Sequence, residues 1–205
     1  MTGYLVLNLS QLIGDEAISD DEIKEYLNAY SCPMNKDIEV FLHQKAVEFQ
    51  KQGISRTYLV LASYKKEYVL CGYFTLANKV LCVDKWENLD LSKNWRKRMN
   101  KFASFDRKAQ RYTLPIPLIG QLGKNYTNGY NALISGDELL MLALEKIGVI
   151  QDLIGGKVVF VECEPKDRLI EFYSRNGFVR FADRHLDRDE TDIDGEILAQ
   201  MIRYM

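Results

Sequence analysis

Residues 158–178, VVFVECEPKDRLIEFYSRNGF, constrain the fold of this chain more than any other stretch of it. Val158, Val159, Phe160 and Val161 make a β-branched and aromatic run between Gly155-Gly156 and Pro165, which reads as a buried strand. Asp167 to Arg175 follows with Leu169, Ile170, Phe172 and Tyr173 at helical spacing. Asn176-Gly177 then supplies a residue that tolerates positive φ, so the helix stops and the chain reverses into a new strand at Phe178. Tyr173 falls on the inward face of that helix. Read by itself, it is a core aromatic whose hydroxyl takes any partner within reach.

The rest of the chain narrows the chemistry by exclusion. Its 205 residues suit one domain with a substantial core and would cramp two. Only His43 and His185 are present, far apart and without metal-ligand spacing, which argues against a zinc hydrolase or a histidine-based triad. Cys32, Cys71, Cys82 and Cys163 form no CxxC pair and read as reduced thiols of a cytoplasmic protein. The opening MTGYLVLNLSQLIG lacks the basic region of a signal peptide. No run approaches the ~18 apolar residues of a membrane span. The net charge of −2 advertises no global field for nucleic acid.

Periodicity predicts a helix from Asp20 to Ala29 and another from Asn35 to Gln52, ended by Gly53. Strands over Thr57–Ser63 and Tyr68–Leu76 flank a hairpin turn at Lys65-Lys66-Glu67, with a further strand near Val80–Val83. Ser92 to Ala103 reads as a helix, and Tyr112 to Gly123 as a long extended segment. Pro115 and Pro117 belong at its start or at an edge, because they lack ladder donors. Ser135 to Val149 is a strongly apolar helix, and residues 186–205 read as an acidic tract followed by a terminal helix. This order predicts a mixed α/β fold with helices on both faces of a central mixed sheet.

Three features together carry a resemblance to the GNAT superfamily of N-acetyltransferases. They are the F-Y-x-x-x-G-F segment ending in Phe178, the pair LPIPLIGQLGKN and ISGDELLMLALEKI, and the strand before Tyr173. A helix of the type F-L-x-x-K-A, then S-R-T-Y and G-Y-F-T-L-A, makes the chain most similar in outline to tRNA-acetylating toxins of bacterial toxin–antitoxin systems. The likeness spans roughly residues 36–181, with 84–110 as a basic insertion in a single domain over 1–205. It implies a GNAT-like acyl-CoA N-acyltransferase fold whose sheet splays at the CoA cleft. Acetyl-CoA is the implied co-substrate, without a metal.

Carried over by position, Tyr173 would protonate the departing CoA thiolate, since a phenol with pKa near ~10 is still protonated at neutral pH. Backbone groups of Leu122, Gly123 and Lys124 would bind the acetyl carbonyl and pantetheine, with Gly123 allowing close approach. Ser135, Gly136 and Asp137 would begin the helix that meets the pyrophosphate, and Phe172 would complete the cofactor set. Of the family's Q/R-x-x-G-x-G/A loop, this chain keeps only the last glycine, with Asn131, Ile134 and Gly136 at the key positions. An N-capped helix without a ligand is the other reading of Ser135–Glu138. For the acceptor amine, Glu162 or Glu164 would act through water as base, while an acyl-Cys163 intermediate lacks a nearby activating histidine.

The expected activity is acetyl transfer to a primary amine by direct attack in a ternary complex. One alternative is toxin-like acetylation of the α-amine of aminoacyl-tRNA; another is a catalytically degraded module that binds CoA or a protein. Lys93, Arg96, Lys97, Arg98, Lys101, Arg107, Lys108 and Arg111, interleaved with Trp95, Phe102 and Phe105, are the candidate tRNA contact. One solvated helix face with core aromatics explains the same pattern. Edge strands of such folds often pair, so a homodimer is a further expectation.

Overall fold

Two short helices near the N-terminus start by the same device. Asn8, at the end of strand β1 (Tyr4–Asn8), and Ser19 each accept from a backbone N–H near the helix start; Gln11 and Glu22 reach back to the cap N–H. These capping boxes open α1 (Leu9–Ile13) and α2 (Asp20–Asn28). The computed structural model describes residues 3–83, 89–187 and 195–205. They form two compact units, one of residues 3–77 and 119–146, the other of 78–83, 89–118, 147–187 and 195–205.

In the first unit, α3 (Lys36–Val40), a π-helical turn (Phe41–Lys45) and α4 (Ala46–Gln52) follow one another without a break. Gly53 ends this run in the left-handed region at φ 75°. The hairpin of β2 (Ser55–Tyr64) and β3 (Glu67–Val83) turns on Lys65 and Lys66, both at positive φ. Strand β1 lies antiparallel on β2. Between Val60↔Gly72 and Leu61↔Leu70 the register slips, leaving Cys71 as the extra residue of a bulge. Leu9, Ile23, Leu27, Leu42, Leu59 and Tyr73 anchor the core of this unit.

Strand β5 (Arg111–Lys124) and helix α6 (Gly136–Ile154) each contribute residues to both units. In the second unit, α5 (Lys93–Met99) precedes a short strand β4 (Ser104–Asp106) that pairs with the start of β5. Strand β6 (Val158–Cys163), helix α7 (Asp167–Arg175) and strand β7 (Val179–His185) appear as predicted. The C-terminal segment does not. Residues Ile197–Tyr204 form strand β8, antiparallel to both β6 and β7, and not a terminal helix. Its apolar run is buried on both faces between two neighbours, which a helical reading of the sequence cannot distinguish. Most of the acidic tract before it, at 188–194, lies outside the described residues.

Pro115 and Pro117 sit inside β5 rather than at its start. Spaced by two, they withhold donors on the same side of the strand, so only one ladder is interrupted. The strand expected near Val80–Val83 is the continuation of β3. Helix α5 stops at Met99, earlier than the predicted Ala103.

Candidate active site

The second unit holds the tyrosine. On α7 the Tyr173 ring is buried and meets Phe172 and Phe178 edge-on, with centroids 5.0 and 5.4 Å away. Phe178 N–H donates to the Tyr173 carbonyl at 3.0 Å, and Gly177 at φ 81° makes the reversal. Arg203 of β8 donates to the Asn176 carbonyl at 2.9 Å and fixes the same corner. Burial pushes the phenol well above its ordinary value of 10.0, and the Cys163 thiol adds to the effect. Tyr173 therefore stays protonated through neutral pH, as a proton or hydrogen-bond donor must.

Cys163, at the end of β6, is a poor nucleophile. Burial pushes its thiol up to about 12, against a smaller opposing pull from Arg180. At neutral pH it is held as the neutral thiol. An acyl-Cys163 intermediate is correspondingly disfavoured. Among the cysteines Cys82 is the exposed one, the other three being buried. Iodoacetamide should therefore label one thiol per native chain, at Cys82, and all four in denaturant. Mass spectrometry checks the count, and modification of Cys163 at a rate comparable to Cys82 would contradict its burial.

Glu162 is no base either. Its carboxylate accepts from Arg184 Nε at 2.7 Å and Gln200 Nε2 at 2.9 Å on Oε1. Lys79 Nζ at 2.8 Å and Arg184 Nη2 at 3.0 Å occupy Oε2. Burial would raise its pKa, yet these hydrogen bonds outweigh it and hold the carboxyl below its ordinary value of 4.5. With every lone pair direction engaged, Glu162 ties β3, β6, β7 and β8 together and has no capacity left for an amine proton. Glu164 is buried and paired with Lys166 at 2.8 Å.

The first unit holds the other expected positions. Leu122, Gly123 and Lys124 close β5, and the structure gives Gly123 a reason of its own. A Cβ there would clash with the Tyr30 hydroxyl and come within 2.5 Å of Ile38 Cγ2. The glycine makes room for side chains of this chain, where the sequence suggested room for a ligand. Gly123→Val should lower the melting temperature, by about 2–4 °C per kcal/mol lost. An unchanged melting temperature would show that Tyr30 and Ile38 move aside freely. Lys124 Nζ donates to the Asn131 carbonyl at 3.0 Å.

Asn125 is a positioning residue that the sequence gave no sign of. It is 3% exposed; its backbone N–H donates to the Cys71 carbonyl at 2.9 Å and its Nδ2 to the Leu70 carbonyl at 2.8 Å. Its Oδ1 accepts from Ser31 N and Thr127 N. The bulge at Cys71 leaves these carbonyls facing Asn125, so the end of β5 is clasped to β3.

Ser135 and Glu138 form a capping box at the start of α6. Ser135 Oγ accepts from Glu138 N at 3.1 Å, and Glu138 Oε2 accepts from Ser135 N at 2.8 Å. The amides of Gly136 and Asp137 take no part in that box. Among the described residues no cluster of three or more His, Cys, Asp or Glu side chains is arranged to hold a metal.

In the basic stretch of the second unit, Lys93, Lys97, Arg98, Lys101, Arg107, Lys108 and Arg111 are exposed. Trp95 and Phe102 are half-buried and pack against the apolar cluster of Met99, Leu114 and Phe160, which takes up part of each ring. Arg98 lies over the Tyr204 ring at 4.6 Å. Arg96 is half-buried and donates to the Leu91 and Leu89 carbonyls, which removes it from the candidate contact. Phe105 is the exposed aromatic of the set, leaning on Tyr112 at 4.8 Å. Lys85 and the rest of 84–88 lie outside the described residues.

Among solved structures, the chain matches AtaT complexed with acetyl-methionyl-tRNAfMet at 17% identity and TM-score 0.61, covering 96% of this chain and 93% of that one. It matches a tyrosine-to-phenylalanine mutant of KacT at 17% identity and TM-score 0.59, over 97% and 94% of the two chains. A third match, at 17% identity and TM-score 0.55, is AtaTR bound with AcCoA, covering 98% and 93%. The chain has the GNAT fold of these toxins. No protein-family model matches the sequence, and no curated protein does. At this identity the likeness speaks for the fold, and chemistry must be argued from residues. Among the described residues no helix is long and apolar enough to cross a membrane.

Proposed function

We propose that the chain is an acetyl-CoA-dependent N-acetyltransferase that moves an acetyl group to a primary amine by direct attack. The observation that carries this reading is Tyr173, a buried phenol held protonated on the helix after β6. The fold it sits in is one whose solved examples include a complex with AcCoA. In the proposed reaction a neutral amine attacks the thioester carbonyl, the C–S bond breaks, and the sulfur leaves with the bonding pair. Tyr173 donates its hydrogen bond, and then its proton, to that sulfur. Backbone groups of Leu122, Gly123 and Lys124 hold the acyl end of the donor, and the first turn of α6 takes its phosphates. Phe172 flanks the tyrosine as the remaining cofactor position.

The buried environment makes Tyr173 a weak acid, so its main contribution is to stabilise developing negative charge on sulfur. Solvent can restore its proton after product leaves. Excess amine protons go to water, since Glu162 is saturated and Cys163 is inert.

One finer reading has support of its own: the acceptor is the α-amine of an aminoacyl-tRNA. The AtaT complex contains an acetylated methionyl-tRNA, and the exposed cations of 93–111 offer phosphate contacts. Transfer of labelled acetyl from acetyl-CoA to methionyl-tRNA and to a small-amine panel tests both levels. Methionyl-tRNA acetylation that weakens steeply with salt supports the tRNA acceptor. Acetylation of small amines alone rejects that acceptor and keeps the enzyme. Neither product rejects the activity, leaving a binding module.

A further inference from the structure

The first unit contains an apolar pocket of about 270 Å³ that the acetyl-transfer reading does not use. Leu7 of β1, Leu12 of α1, Ile18, Tyr26 of α2, and Leu59 and Leu61 of β2 form most of its wall. The one charged residue lining it is Glu22, whose carboxylate is already occupied by Ser19 N and Oγ at 2.8 Å. Tyr26 at the wall is 40% exposed, so the pocket reaches the surface. Water gains little in such a space, because it finds too few polar partners.

The segment that supplies Ile18, Glu22 and Tyr26 to the wall is strongly acidic. Residues 15–26 carry Asp15, Glu16, Asp20, Asp21, Glu22 and Glu25 against Lys24 alone, all of them exposed. Asp20 is engaged by Lys51 at 2.5 Å, and Lys24 reaches Asp21 only at 4.0 Å. An apolar hole inside a negative surface selects among occupants. Anionic membranes and nucleic acid are repelled by the same charges that attract lysine and arginine. The cavity is too small for a helix face but suits one large side chain in a desolvated hot spot.

We propose that this pocket docks a basic segment of a partner protein, which inserts one large apolar side chain while flanking lysines or arginines meet the acidic side chains of residues 15–26. This inference is independent of the catalytic reading. Both parts of the recognition are required: the charges bring the segment in, and the buried side chain holds it. A second copy of this chain offers Phe105 alone as an exposed aromatic of its basic stretch, and that ring already leans on Tyr112.

A fluorescein-labelled lysine-rich peptide with one central tryptophan serves as the probe, and the same peptide with alanine at the centre as its control. By fluorescence anisotropy, the tryptophan peptide should bind at least ~10-fold tighter than the control, and both should weaken with salt. The double variant Asp21→Lys, Glu25→Lys should cut binding of both peptides ~10-fold or more. Leu12→Trp, which fills the pocket from inside, should erase the difference between the peptides. Ile18→Trp is the second filling variant, used if the first lowers the melting temperature. Equal binding of the two peptides would overturn the proposal, leaving only an electrostatic surface. So would a filled pocket that still discriminates them, or self-association of the free protein that Phe105→Ser abolishes.

Discussion

Replacing Tyr173 with Phe should lower the rate of acetyl transfer by roughly 10²–10⁴-fold while leaving acetyl-CoA affinity nearly unchanged. The variant keeps the ring, and with it the edge-to-face partners Phe172 and Phe178. What disappears is the hydroxyl that the proposed mechanism assigns to the sulfur. The phenol is raised above its ordinary value of 10.0, so the wild-type rate should show no alkaline loss attributable to this group below pH 10. Steady-state kinetics with calorimetric binding of acetyl-CoA separates the two effects. A variant with full turnover would remove Tyr173 from the chemistry, and one that loses binding as well would make it a structural residue.

Glu162→Leu should destabilise the second unit by about 3–5 kcal/mol, because it strands the cations of Arg184 and Lys79 beside a buried apolar surface. The glutamate side chain is 9% exposed and Arg184 20%, so water compensates little at those two. Lys79, at 34%, recovers more of its hydration. The same network sets a pH dependence. The folded pKa of Glu162 lies below the unfolded value near 4.5, so its stabilisation is complete above that pH. It is lost as pH falls through the folded value. Denaturant melts of wild type and Glu162→Gln across pH 7 to 3 should therefore converge at the acid end. Parallel curves at all pH values would show that the carboxylate charge is not what holds the cluster.

The β6–α7–β7 unit was legible in the sequence because three local signals agree there: a β-branched run, a helical stripe and a glycine able to take positive φ. The β2–β3 hairpin was legible because Lys65-Lys66 separates two largely apolar runs. Strand β8 was not. Ile197–Tyr204 is apolar at spacings that satisfy a helix and a doubly buried strand alike, and only its neighbours β6 and β7 decide. The π-helical turn at Phe41–Lys45 left no mark within an otherwise regular stripe. Tyr173 stood out by its position on the helix, but the saturation of Glu162 was invisible, because its partners come from strands distant in sequence. Asn125 escaped notice for a similar reason: its clasp depends on carbonyls that the Cys71 bulge turns toward it. The basic stretch read as cations interleaved with three aromatics, and burial separated them, Trp95 and Phe102 toward the apolar cluster and most of the cations outward.

The account depends on this chain holding acetyl-CoA, and titration calorimetry of the purified protein measures that directly. Saturable binding of one acetyl-CoA per chain, displaced by CoA, is the predicted result. No heat of binding up to millimolar acetyl-CoA, from protein that melts cooperatively, would contradict it.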